Sequence, residues 1–217
     1  MTEADLRARL AARRLRPAPD ATAGPEPVPR AEPPPGAISA PAHAPQALDL
    51  AEAPLIEAAV LVPILLGPEF SVLLTKRAEH LSSHAGQVSF PGGRIDPLDA
   101  GPEAAALRES YEEIGLDPDS VELAGRLEDH VTGSGFRITP VLGLLPENPV
   151  LMPSADEVEA VFRLPFSVLL DPQAPQRRRA LRNGRWRDFW VWPHPTQYIW
   201  GATAAILVHL ATVLRDG

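Results

Sequence analysis

Ten of the chain's 26 prolines fall between residues 17 and 45, and that concentration decides where a globular fold can begin. Proline has no backbone N–H to give a ladder and breaks a helix interior, so neither regular element runs through such a stretch. Between the prolines stand mainly Ala, Gly and Glu, which bury too little apolar surface to offset the entropy of ordering. Residues 1–50 are therefore expected to be a Pro/Ala-rich disordered tail, with at most a short helix in its leading part, and residues 51–217 one domain. A domain of roughly 150 residues buries about two-thirds of its unfolded surface and needs no covalent staple. Residues 5–15, DLRARLAARRL, are Arg-rich and amphipathic, as a mitochondrial transit peptide is. Glu3 and Asp5 oppose that reading, because such peptides are poor in acids.

The absence of cysteine removes disulfides, thiolate nucleophiles and Cys-ligated zinc, so any metal must be held by oxygen or His. A formal charge of −8 offers no basic face for phosphate neutralisation, which argues against nucleic acid as a partner. The longest apolar stretch, residues 202–214, is too short to span a bilayer and contains His209. No apolar signal region is visible at the start, so a soluble cytoplasmic protein with no membrane partner is the default expectation.

Beyond residue 55 the pattern changes. Residues 57–66 (EAAVLVPILL) read as a buried strand and 70–75 (FSVLLT) as a second, with Gly67-Pro68 turning between them. Residues 76–91 look irregular. Residues 102–114 read as a helix with Pro102 in the first turn and Gly115 as its stop. Strands are expected at 121–129, 136–145 and 158–164, and a hairpin at 177–181 and 185–192 around the turn signal Asn183-Gly184. An apolar helix over 202–214 closes the chain. Strands outnumber helices and one helix sits between strand pairs, which is the pattern of an α+β sandwich with a mixed sheet and not of a doubly wound fold.

The chemistry-bearing segment is the helix over 102–114. Glu109, Glu112 and Glu113 stand at i, i+3 and i+4 and share a face, with Ala104, Leu107, Tyr111 and Ile114 assigned to the opposite, buried one. Such a row is ordinarily a solvated face. A hard divalent cation turns its mutual repulsion into a site, since Mg²⁺ takes carboxylate oxygens and keeps several waters. Upstream, Ser89-Phe90-Pro91-Gly92-Gly93 places flexible backbone just before this helix.

These residues resemble the Nudix box: Gly, five residues, an acid, seven residues, then Arg-Glu-apolar-x-Glu-Glu-x-Gly-apolar. Gly93, Arg108, Glu109, Glu112, Glu113, Gly115 and Leu116 match it. Asp99 stands where Glu is usual, the gap to Arg108 is one residue longer, and Ser110 replaces an apolar residue. A second pattern is similar to that of the coenzyme A diphosphatase branch. Leu73, Leu74, Thr75, Arg77, Ala78, Gly86, Phe90, Pro91, Gly92 and Gly93 agree with it, whereas Ser82 stands where Arg is expected. Ile199-Trp200-Gly201-Ala202-Thr203-Ala204 also looks like this branch.

The resemblance implies a Nudix-type α/β/α sandwich that hydrolyses the diphosphate of coenzyme A or an acyl-CoA, with Mg²⁺ or Mn²⁺ as cofactor. It makes Glu109 and Glu113 metal ligands, with Glu112 a third ligand or the base that activates water, and has Arg108 hold a carboxylate in place. Arg77, Gly92 and Gly93 become substrate contacts. Asp99 reads equally as a helix cap, His84 as a surface histidine, and Arg177, Arg178 and Arg179 as the charged edge of a hairpin. Trp186, Trp190 and Trp192 stack on adenine or fill core. ADP-ribose, NADH or a dinucleotide as substrate, or a non-catalytic binding module, are the alternatives, and the module predicts a broken box. A homodimer is compatible with all of this. Ser82 implies a lost phosphate contact unless Lys76 or one of Arg177–Arg179 replaces it.

Overall fold

The computed structural model describes residues 1–11, 54–182 and 185–216. In chain order the elements are α1 (Glu3–Ala11), β1 (Ile56–Leu66), β2 (Ser71–Arg77), β3 (Val88–Ser89), β4 (Gly92–Arg94) and α2 (Pro102–Ile114). A 3₁₀ turn at Pro118–Ser120 leads to β5 (Glu122–Arg126), β6 (His130–Val131), β7 (Phe136–Pro146) and β8 (Val158–Pro165). The chain then runs through α3 (Phe166–Leu169), β9 (Gln176–Arg182), β10 (Arg185–Trp192), β11 (Ile199–Trp200) and α4 (Gly201–Asp216).

The main sheet is mixed. β1 runs parallel to β7 from Ile56↔Phe136 to Leu66↔Pro146, while β2 and β4 pair antiparallel with β1, and β5 and β6 with β7. β8 joins the edge of β2. Both faces are covered. Ala59, Leu61 and Leu65 of β1 pack with Ala105, Ala106 and Ile114 of α2, whereas Val62 and Ile64 share the other core with Leu207 and Leu210 of α4. A strand buried on both sides loses its polar alternation, which is why residues 57–66 read as one apolar run. A second sheet, β11-β10-β9, is antiparallel, with Arg185 opposite Arg182 as the expected hairpin requires. The turn signal Asn183-Gly184 lies outside the described residues.

Three expectations are corrected. The buried face of α2 is rotated: Ala105, Ala106, Ser110, Glu113 and Ile114 are buried, and Tyr111 is 59% exposed. Ser110 fits there because its hydroxyl donates to the Ala106 carbonyl at 2.6 Å, leaving no polar group unsatisfied. The strand expected over 121–129 is shorter, β5 ending at Arg126, with the unexpected β6 beyond it at His130–Val131, and the register of β5 against β7 shifts between Leu123 and Gly125.

The third concerns the leading residues. Thr2 and Asp5 form a reciprocal cap, with the Asp5 N–H donating to Thr2 Oγ1 (3.1 Å) and the Thr2 N–H to Asp5 Oδ2 (2.9 Å). Leu6 and Leu10, one turn apart, are buried in the α4-side core. Arg9 donates to the Leu214 carbonyl, near the C-terminal end of α4. The amphipathic pattern of this segment is thus that of a docking helix, and residues 3–11 pack with the domain rather than within a tail. Residues 12–53 lie outside the described set. No helix among the described residues is long and apolar enough to cross a membrane.

Candidate active site

Two adjacent glycines bring β4 against both β1 and α2. β4 pairs with β1 through Ala59↔Gly93 and Val60↔Gly92. Gly92 has φ 150°, and a Cβ there would sit 2.6 Å from the Val60 Cα, so only glycine is accommodated. At Gly93 a Cβ would fall 2.5 Å from the carboxyl carbon of Glu109. The pair therefore leaves room for the carboxylates of α2 to lie against bare backbone.

Glu113 occupies that room. Its side chain is 4% exposed; Oε2 accepts from the Gly92 N–H at 3.3 Å and Oε1 from Arg77 Nη1 at 3.2 Å. Burial pushes its carboxyl up to about 7, against the pull of Arg77 and the Gly92 N–H and helped by Glu157 and Glu109. Glu109 is likewise raised by burial, with Arg108 opposing and Glu112 and Glu157 adding to it.

Arg108 is the hub of the acidic wall. Its Nε and Nη2 grip both oxygens of Asp99 at 3.0 and 2.9 Å, and Nη1 donates to Glu109 (2.9 Å) and Glu112 (3.1 Å). Nη2 also reaches the Arg94 carbonyl at 3.1 Å, which ties α2 to the end of β4. Asp99 is thus not a helix cap. Gly101 holds the cap position without a side-chain bond, and Asp99, 7% exposed, orients Arg108 and is held well below the usual carboxylate range by it.

The structure brings Arg77, Gly92, Gly93, Glu109 and Glu113 together. Glu112 stands apart, 51% exposed and bonded to Arg108. Glu157, just before β8, couples electrostatically to both Glu109 and Glu113. No motif marks Glu157, since it reaches the site only because β8 pairs with β2, and the Ala78 N–H bonds the Glu157 carbonyl at 2.9 Å.

Beside this cluster opens a cleft of about 720 Å³. Arg77, Gly92, Gly93 and Arg94 line one side, and Trp190, Trp200 and the start of α4 line another. His84 lines it too, in a left-handed conformation (φ 56°) with Nδ1 3.0 Å from Gln87 Oε1. Of the three tryptophans singled out by sequence, Trp192 is core, Trp186 is exposed outside the cleft, and only Trp190 lines it. Trp200 is the one the strand spacing missed. The arginine run is largely engaged: Arg177 lies 5.1 Å over Trp190, Arg178 bonds Gln176, and Arg179 pairs with Asp188. Lys76 is bound by Glu79 and Glu159, and exposed Ser82 does not line the cleft.

Among the described residues no three carboxylate or imidazole side chains converge as a preformed metal cage. The donor set nevertheless fits a hard divalent ion. Mg²⁺ is ordinarily held by one or two carboxylates, waters and substrate phosphates instead of an all-protein cage. Here Glu109 and Glu113, both raised by burial, face each other and Glu157 with only guanidinium counter-charges.

A family model described as the NUDIX domain matches residues 55–196. The chain is 43% identical over 155 residues to the "Uncharacterized Nudix hydrolase NudL" of Salmonella paratyphi B, a match covering 71% of this chain and 81% of that protein. Among solved structures it is similar to a Nudix hydrolase from M. smegmatis, RenU (TM-score 0.45, 22% identity, 54% of this chain and 74% of that one). It is also similar to a MutT/nudix family protein from Enterococcus faecalis (TM-score 0.47, 17% identity, 76% of this chain and 63% of that one).

Proposed function

The chain belongs to the Nudix hydrolase family, whose members act on pyrophosphate bonds, and on that premise we propose that it cleaves coenzyme A or an acyl-CoA to 3′,5′-ADP and (acyl-)4′-phosphopantetheine. The observation that carries this reading is the bond from Arg77 to Glu113. Arg77 belongs to the pattern over residues 73–93 and Glu113 to the box, so the two motifs meet on one carboxylate. Beside them the cleft offers arginine for phosphate and Trp190 and Trp200 for an adenine ring.

Glu109 and Glu113, with Glu157 beside them, are the residues that would hold Mg²⁺ or Mn²⁺. When bound, the ion neutralises diphosphate charge and lowers the pKa of an attacking water. The chain's own residues do the positioning. Arg108, locked by Asp99, fixes Glu109 and Glu112, and Gly92 and Arg77 fix Glu113. Arg77 lies between Glu113 and the cleft, where its fork suits a phosphate oxygen. Water oxygen adds to one phosphorus, the bridging P–O bond breaks, and the bridging oxygen leaves with the other phosphate. In ¹⁸O-water the label should enter one product phosphate only; a covalent enzyme intermediate would contradict this scheme.

The test is a substrate panel with Mg²⁺ or Mn²⁺, separating products chromatographically. Coenzyme A or an acyl-CoA should give 3′,5′-ADP with the highest kcat/KM. Faster turnover of ADP-ribose, NADH or a dinucleotide would overturn the coenzyme A assignment and leave a Nudix hydrolase of another nucleoside diphosphate derivative.

A further inference from the structure

Among the described residues, two arginines of the cleft have no counter-charge. The chain is acidic, with a formal charge of −8, and nearby cations are already taken. Lys76 Nζ lies 2.8 Å from Glu159, Arg77 Nη1 lies 3.2 Å from Glu113, and Arg179 Nε lies 2.7 Å from Asp188. Arg94 and Arg187 both line the cleft, and among the described residues neither has a carboxylate within ion-pair distance. They come from different sheets. Arg94 ends β4, directly after the glycine pair, and its guanidinium lies 5.8 Å from the centre of the Phe136 ring, another residue of the cleft wall. Arg187 stands on β10, across from Ala180 of β9.

Unpaired guanidiniums gathered on one concave surface repel each other and Arg77, and an anion with several oxygens removes that cost. The diphosphate cannot account for all three, because Arg77 and the glutamate cluster already form its end of the cleft. We propose that Arg94 and Arg187 form a second anion subsite, which takes the ribose 3′-phosphate of the substrate and selects coenzyme A over dephospho-coenzyme A. This assignment rests on the coenzyme A reading above. It also locates the phosphate contact that Ser82 cannot make: not Lys76 or Arg179, whose charges are matched, but Arg94, at an unspecified position of the box, and Arg187, outside both motifs.

The experiment measures kcat/KM for coenzyme A and dephospho-coenzyme A on the full-length wild type, Arg187→Gln, Arg94→Gln and Arg187→Lys. The ratio of the two substrates should fall about tenfold or more in each Gln variant, the effect of losing one charge-assisted bond. Arg187→Lys should recover part of it. An equal loss on both substrates would place these arginines on the diphosphate and overturn the subsite. Calorimetric titration with 3′,5′-ADP and 5′-AMP needs no turnover and separates the two ideas. If the wild type does not cleave coenzyme A, the substrate reading falls alone. The subsite then stands if the wild type prefers 3′,5′-ADP and Arg187→Gln abolishes that preference, and falls if the two nucleotides bind alike.

Discussion

The α2–β4 wall and the β9–β10 wall of this protein treat charge in opposite ways. On the first, most charges are answered inside the molecule. Arg108 is shared by Asp99, Glu109, Glu112 and the Arg94 carbonyl, and Arg77 and the Gly92 N–H hold Glu113. On the second, an exposed antiparallel ribbon pairs Arg179 with Asp188 but leaves Arg187 without a carboxylate among the described residues. Internal pairing preorganises groups before substrate arrives, which is what chemistry needs. A cation left unpaired is useful only when a ligand supplies the anion, which is what recognition needs. The contrast predicts that damage to the internally paired groups of the first wall lowers kcat, while damage to the unpaired arginines, Arg187 on the second wall and Arg94 at the end of β4, changes which substrate is preferred.

Glu113→Gln should produce the largest effect, a loss of at least about two orders of magnitude in kcat with the fold intact by circular dichroism. Near-normal turnover by folded Glu113→Gln protein would break the comparison outright. The same variant tests the electrostatics. Because burial raises the Glu113 carboxyl from an ordinary 4.5 to about 7, the metal-stripped fold keeps a proton that the unfolded chain has already released. Its stability should therefore fall as pH rises from about 4.5 through about 7. Glu113→Gln should show a smaller decline, keeping only the share of Glu109 and other groups, as measured by urea unfolding in chelator at pH 5 and pH 8.

The glycine pair sharpens the point at single-residue scale. In Gly93→Ala the new methyl meets the carboxylate end of the Glu109 side chain and not backbone, so kcat should drop about tenfold or more with little change in melting temperature. In Gly92→Ala it meets the β1 backbone in a left-handed conformation, so stability should fall by about 1–3 kcal/mol as well. Equal melting temperatures for the two variants would show that β4 is not held against β1 as described.

Away from both walls, effects should be on stability alone. Leu10→Ala should destabilise by about 2–5 kcal/mol while leaving kcat of the folded protein unchanged, since Leu10 sits in the α4-side core. A wild-type unfolding midpoint would mean that α1 does not dock. The smallest effect belongs to Ser82→Arg. Ser82 is exposed and does not line the cleft, so kcat/KM for coenzyme A should change less than about twofold. A tenfold gain would move the missing contact back to position 82 and away from the β10 wall.

Much of this architecture is readable from residue order, and the exceptions have identifiable causes. The bounds of α2 follow from Pro102 and Gly115, and a short leading helix is expected, although its Thr2/Asp5 cap is not. Whether α1 docks is not a local property: its two leucines gain burial only because α4 and the main sheet present an apolar surface to them. The rotated face of α2 has a similar origin. Helical periodicity puts Tyr111 with Ala104, Leu107 and Ile114, but the Ala106 carbonyl satisfies a buried Ser110 and the sheet meets α2 along Ala105 and Ala106.

What the amino-acid order determined by itself is the local chemistry: the carboxylates on one helix, the glycine pair before them, and the arginines spaced to reach them. Residues a few positions apart have their relative placement set by the backbone period, so a motif can encode it. What only the tertiary structure decided is which distant groups share that chemistry. Glu157 couples to Glu109 and Glu113 because β8 pairs with β2, and Trp200 and Arg187 line the same cleft as Arg94 because the second sheet and the start of α4 form its other side. Such contacts depend on strand pairing and helix packing between segments separated by tens of residues, and no spacing along the chain records them.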